Sequence, residues 1–243
     1  LIQKLKISRG MSYLIAIGST VCGTTAIIAT APVINAKKSE MAYAIANMTV
    51  FGILAMLIYP YFANFYFDGD PLFVGLFMGT AIHETSQVAA AGLIYDQQFN
   101  SPETLNIATV TKLIRNTFLV IMIPLFAYLY NRGQNHKKNY SIINIFPFFV
   151  LGFIALIILR NIGDVFFLQT NINGEEMWIE FVSLITSSAK IFLSMSMAAV
   201  GLSTNLKDLK SMGYKPFIVG FVSLLTVGIV SLTAIRFLSN FTL

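Results

Sequence analysis

Apolar and polar positions fall in long blocks along this chain, not in the short alternation of a water-soluble fold. Seven hydrophobic segments stand out, at roughly 12–34, 41–62, 71–95, 103–130, 145–161, 177–202 and 215–238. Several reach the ~20 residues that a helix needs to cross a bilayer core. The pattern predicts an all-α, polytopic membrane protein, organised as one transmembrane domain over 1–243. Two segments depart from the pattern at their midpoints. The first carries Gly18, Ser19, Thr20, Gly23, Thr24 and Thr25, and the third carries His83, Glu84, Thr85, Ser86 and Gln87.

Laid over each other at an offset of 60, Thr24–Ala29 meets Glu84–Ala89, Ala31 meets Ala91 and Ile34 meets Ile94. This spacing fits a pair of broken helices in an inverted-repeat transporter. Loop charges point the same way. Lys4, Lys6, Arg9, Lys37 and Lys38 mark a cytoplasmic face, as do Arg132, Lys137, Lys138, Lys207, Lys210 and Lys215; Asp68, Asp70, Asp164, Glu175 and Glu176 mark the opposite one. A strict zigzag of seven crossings cannot satisfy all of them. They agree if segments one and three each enter and leave on the same side, as re-entrant elements; the alternatives are loops that break the rule or further helices upstream.

Composition strengthens the membrane reading. Of 243 residues, 56% are hydrophobic and 11% charged, against roughly 25% charged in soluble domains. The net charge of +5 lies mostly in short loops, with no basic stripe interleaved with aromatics, so no nucleic-acid partner is expected. The single cysteine, Cys22, excludes an internal disulfide. Residue 1 is Leu, and no cleavable signal peptide is visible.

Ionisable groups at mid-membrane are functional candidates, because burying them in hydrocarbon is costly unless they meet partners, water or a ligand. An interrupted helix offers free amides and a positive dipole end to an anion. Gly23, Thr24 and Thr25 supply flexibility and hydroxyl donors for such a site. His83 and Gln87 are four apart and would share one helix face, with Glu84 at its border; either His83 or Glu84 could carry a coupling ion. Lys112, near a helix end, is expected to snorkel to the interface, while Arg115 lies deeper. Lys190 sits midway through the sixth segment and needs an acidic partner, for which Glu84 is the candidate, or an anionic ligand. Four potential cations against one acid favour an anionic solute.

The rival class is an intramembrane hydrolase using His83 and Glu84. The zinc-protease pattern HExxH is absent, since position 87 is Gln and the other histidine, His136, lies in a loop. No metal or cofactor is expected.

Cys22–Ile27 with Ala31–Ile34, then Ala42–Pro60, Ile82–Gly92, Ala108–Arg115, Pro147–Phe153 and Met197–Thr204 together resemble the YeiH-like sulfate exporter family of bacterial membrane proteins. The resemblance runs in order along nearly the whole chain. It implies a secondary transporter related to the cation–proton antiporter and anion transporter superfamily, with broken helices at the substrate site. Members are usually longer, so the chain is expected to be an N-terminally truncated copy. The chain is expected to be a secondary-active transporter of a small anion, sulfate or an organosulfonate, in the bacterial inner membrane. Gly23, Thr24, Thr25, Thr85, Gln87, Arg115 and Lys190 would bind it, and His83 or Glu84 would couple its movement to an ion gradient. Its partners are the solute and the bilayer, with a homodimer left open.

Overall fold

Proline and glycine punctuation sets the helix ends in the computed structural model, which describes residues 7–132, 149–168, 174–203 and 214–242. Lys4, Lys6, His136, Lys137, Lys138, Lys207 and Lys210, which entered the sequence reading, lie outside the described residues. The chain divides into two compact units, 1–146 with 204–243, and 147–203. All regular structure among the described residues is α-helical.

In the larger unit, α1 (Arg9–Thr20) and α2 (Gly23–Thr30) are separated by two non-helical residues. Helix α3 (Lys38–Tyr66) is the long element, roughly 43 Å at 1.5 Å per residue. Its end is a tight turn in which Asp68 and Gly69 take positive φ and Gly69 N–H donates to Asn64 O at 2.9 Å. Asp70 then caps α4 (Pro71–Ala81), its Oδ1 accepting from the amides of Leu72 and Phe73, with Pro71 in the first helical position. Helix α5 (Thr85–Phe99) ends at Asn100 in the left-handed region. Helix α6 (Pro102–Thr117) starts immediately after it, and α7 (Leu119–Asn131) continues past a 44° bend.

Contacts fix the direction of each element. Ser8 Oγ donates to Glu40 at the start of α3, and Gly18 packs on both Ile27 and Met48. Helix α1 therefore runs beside α3 while α2 folds back against α1. The first hydrophobic segment is a helical hairpin whose ends both lie at the start of α3. The third segment behaves likewise. Along α4, Gly75 meets Ile107 and Gly79 meets Thr111, so α4 runs with α6. Along α5, Thr85 meets Asn116 and Gly92 meets Leu105, so α5 runs against it. Tyr95 Oη donates to Asn64 near the far end of α3, where α4 also begins. The two hairpins thus enter from opposite ends of α3. At 12 and 11 residues, α1 and α4 are each roughly 16–18 Å long, about half of a ~30 Å hydrocarbon core.

Close packing of the second hairpin on α6 depends on small residues. Gly75, Gly79 and Gly92 each face α6 so closely that a Cβ would lie 2.6–2.7 Å from its atoms. Dispersion between close backbones replaces the hydrophobic drive that water would otherwise supply. Helix α10 (Lys215–Thr242) runs beside α3, with Gly220 against Asn47, Gly228 against Tyr59 and Arg236 Nη1 donating to Tyr66 Oη at 3.0 Å. Thr80 and Ser231 share a hydrogen bond that ties α10 to the second hairpin.

In the smaller unit, α8 (Phe149–Leu168) and α9 (Glu175–Ser203) form a helical pair. Trp178 Nε1 donates to Asp164 at 2.8 Å and the indole stacks on Phe167.

The seven segments are accordingly not seven equivalent spans. Among the described residues, Lys38–Tyr66 and Phe217–Ser239 are long and apolar enough to cross a membrane, and the bent pair α6–α7 makes a third if taken as one span. Segments one and three hold two half-helices each.

Candidate functional site

The two hairpin tips meet beside the middle of α3. The first tip is Val21–Cys22 and the second is 82–84, both in extended or irregular backbone. Gly23 N–H donates to His83 O at 3.1 Å, joining tip to tip. The Glu84 carboxylate crosses to the first hairpin, where Oε1 accepts from the Thr24 amide and the Thr24 hydroxyl, both at 2.5 Å. Thr24 and Glu84, one of the pairs superposed at an offset of 60, are thus in direct contact. A Cβ on Gly23 would lie 2.5 Å from Glu84 Oε1, so the close approach requires glycine there.

The expectation that Lys112 snorkels is corrected. Its side chain is 0% exposed, and Nζ donates to Val21 O at 3.0 Å, Ile82 O at 2.8 Å and His83 O at 2.6 Å. Arg115, one turn on, donates to Ser19 O, Thr20 O, Thr80 O and, more weakly, Ile82 O at 3.4 Å. The reason is electrostatic. Two short helices, α1 and α4, terminate beside the middle of α3, and each C-terminus carries about −0.5 elementary charge on unpaired carbonyls. Two cations on one face of α6 satisfy both ends and hold the tips together. Arg115 was read as supplying charge to a solute; the structure aims four of its donated bonds at backbone.

His83 also departs from the expected helix face. Helix α5 begins only at Thr85, so His83 and Glu84 lie in the extended tip and do not share a helical face with Gln87. His83 is 1% exposed, and neither ring nitrogen has a hydrogen-bond partner. Gln87 is fully buried, with Nε2 donating to Thr49 O at 3.3 Å and Oε1 unpaired. Thr85 Oγ1 accepts from Asn116 Nδ2 at 3.1 Å. Thr24, Glu84, Thr85 and Ser86 are half-buried and Thr25 is exposed, so the meeting point of α2 and α5 is open on one side. Lys190 belongs to α9, in the other unit, and its side chain lies outside the described residues.

Sequence reasoning missed Asn116 as a partner of Thr85, and Cys22, whose Sγ lies 3.6 Å from Thr25 Oγ1 and 4.0 Å from Thr85 Oγ1. The i, i+3, i+4 spacing of Lys112, Arg115 and Asn116 was a visible signal that one face of α6 serves the tips. On the α10 side of Arg115, a mostly apolar cavity of about 450 Å³ is edged by Ser19, Thr20, Thr80 and Ser231. Among the described residues, no three His, Cys, Asp or Glu side chains converge as a metal cluster would require.

Residues 1–220 match the family model described as conserved hypothetical protein 698. The chain belongs to this family. It is similar to a UPF0324 membrane protein of Fusobacterium nucleatum, with 35% identity over 99% of this chain and 70% of that one. It is also similar to UPF0324 membrane proteins of Streptococcus agalactiae, at 38% identity over 96% of this chain and 66% of the relative, and of Clostridium tetani, at 32% over 91% and 63%. The chain spans about two thirds of the length of these relatives. No solved structure matches it. The resemblance to YeiH-like proteins is consistent with this membership. For the conserved hypothetical protein 698 family, the apolar helices and the relatives' names agree on a membrane protein.

Proposed function

We propose that the chain forms the solute-handling core of a secondary-active transporter for a small anion in the bacterial inner membrane. One observation carries the reading: two hairpins from opposite ends bring the N-termini of α2 and α5 to one place, and a carboxylate is held there. Helix N-termini with free amides favour anions. Discontinuous helices meeting near the bilayer midplane are the way many carriers build a solute site. Thr24, Thr25, Thr85 and the neighbouring amides would bind the solute's oxygens. Lys112 and Arg115 act indirectly, by keeping the tips in place. His83 is the stronger candidate for ion coupling, because a buried imidazole without partners costs stability and invites a functional reason.

Arg9, Lys37, Lys38, Arg132 and Lys215 fall at the end of the larger unit where α3 begins, and Asp68 and Asp70 at the other. By the positive-inside rule the first end is cytoplasmic. Sulfate and organosulfonates are the solutes to test first. Purified protein in liposomes should exchange radiolabelled sulfate or methanesulfonate against unlabelled anion, and Thr24→Val with Thr85→Val should abolish the exchange. Absence of exchange for every anion, together with turnover of a soluble ester or peptide, would shift the reading to an intramembrane hydrolase. The geometry gives that alternative little support, since neither ring nitrogen of His83 meets a hydroxyl, thiol or carboxylate.

A further inference from the structure

Glu84 occupies the N-cap position of α5, yet its side chain makes no bond to that helix. It reaches instead to the start of α2, where the Thr24 amide and hydroxyl hold one of its oxygens. The consequence is an imbalance. Two helix N-termini, each worth about +0.5 elementary charge, share a single carboxylate, and the first turn of α5 has no side-chain cap. Capping by an acidic residue normally satisfies the helix on which it sits. Here the acid is positioned as a ligand of the neighbouring hairpin, and Gly23 removes the Cβ that would block it. Among the described contacts, neither Lys112 nor Arg115 donates a hydrogen bond to Glu84; their donated bonds go to carbonyls, so the direct partners of the carboxylate are both on Thr24.

We infer that Glu84 is a tethered competitor for the solute: its carboxylate occupies the oxyanion position at Thr24, and an incoming anion must displace it. The inference rests on the anion-site reading and adds how that site is regulated. The half-buried side chain is able to swing out, because its oxygen is held by Thr24 alone among the described contacts and one side of the site is open. The cradle takes one carboxylate oxygen through an amide and a hydroxyl, so the group that fits it is a compact oxyanion such as a carboxylate, sulfonate or sulfate.

The test uses purified full chain in detergent with formate, sulfate and chloride at matched ionic strength. Glu84→Ala vacates the cradle. Formate should then raise its melting temperature by several degrees relative to chloride at the same ionic strength, and wild-type protein should show no such difference. Adding Thr24→Val to Glu84→Ala should remove most of the formate response, which a merely structural role for Glu84 does not predict. An equal response in wild type and Glu84→Ala, or none in a monodisperse Glu84→Ala, overturns the proposal. Should Glu84→Ala not fold, Glu84→Gln serves: sulfate should bind it about tenfold more tightly than wild type, as expected when a charge-assisted bond to the competitor is weakened, and equal affinity overturns the idea. The transport reading fails separately. Formate refilling in a protein that moves no anion in liposomes supports the competitor and removes the carrier, whereas anion exchange with no gain on Glu84 substitution does the reverse.

Discussion

Replacing Lys112 by methionine keeps an unbranched apolar stem of similar reach and removes the ammonium. Three carbonyls then lose their donor: Val21 O on one hairpin, Ile82 O and His83 O on the other. Hydrogen bonds between membrane helices average ~0.6 kcal/mol and reach ~1.7 kcal/mol. Three such bonds give roughly 2–5 kcal/mol, and the carbonyls have no water to turn to at a site that is 0% exposed. Relief from burying a charge works in the opposite direction, but breaking a buried charged network by removing one partner is generally destabilising by several kcal/mol. The low end, about 2 kcal/mol, already changes an unfolding equilibrium roughly 30-fold. Equilibrium unfolding in mixed micelles of increasing SDS fraction, followed by the single Trp178 and by far-UV circular dichroism, reads this directly. Lys112→Arg, which keeps donors, should recover part of the loss. A Lys112→Met protein within about 0.5 kcal/mol of wild type would refute the claim that α6 pins the tips.

Other expectations follow from the same geometry. Gly79→Ala places a Cβ 2.6 Å from Ala108 O, an atom of the backbone that cannot move aside, so a loss of ~1–3 kcal/mol is expected in the same unfolding assay. Thr80→Cys with Ser231→Cys, in a Cys22→Ser background, should form a disulfide under mild oxidation in membranes, because the two hydroxyls are hydrogen-bonded; failure to cross-link would place α10 elsewhere. Glu40→Gln should lower stability by ~1 kcal/mol or less, since the carboxylate joins Ser8 and the Lys37 amide at a partly exposed helix start.

Much of this was legible in the chain. Loop charges agreed if segments one and three each turned back on themselves, and the registers of Gly18 with Ile27 and of Gly92 with Leu105 show each segment folded as a hairpin. The small and polar midpoints marked the tips, and an offset of 60 paired Thr24 with its structural partner Glu84. Polarity within an apolar run reports an interruption because lipid tolerates irregular backbone only where protein lines it. What the pattern could not convey was the destination of Lys112. A lysine near the end of an apolar segment reads as interfacial, but α6 stops beside the two hairpin tips, so the end of that half is buried within the larger unit. The bend at Phe118 was invisible because no proline or glycine marks it. His83 was misplaced on a helix face because spacing alone assumes that the helix is continuous.

The central claim, that two hairpins enter from opposite faces and meet at their tips, is tested most directly by single cysteines at Ser8, Lys37, Asp68 and Asn100 in a Cys22→Ser background. Each is challenged with a membrane-impermeant maleimide in right-side-out and inverted vesicles. Positions 8 and 37 should react from one face only, and positions 68 and 100 from the other face only. Labelling of Ser8 and Lys37 from opposite faces, or of Asp68 and Asn100 from opposite faces, would mean that the segment crosses the bilayer, and the account of the site would fall with it.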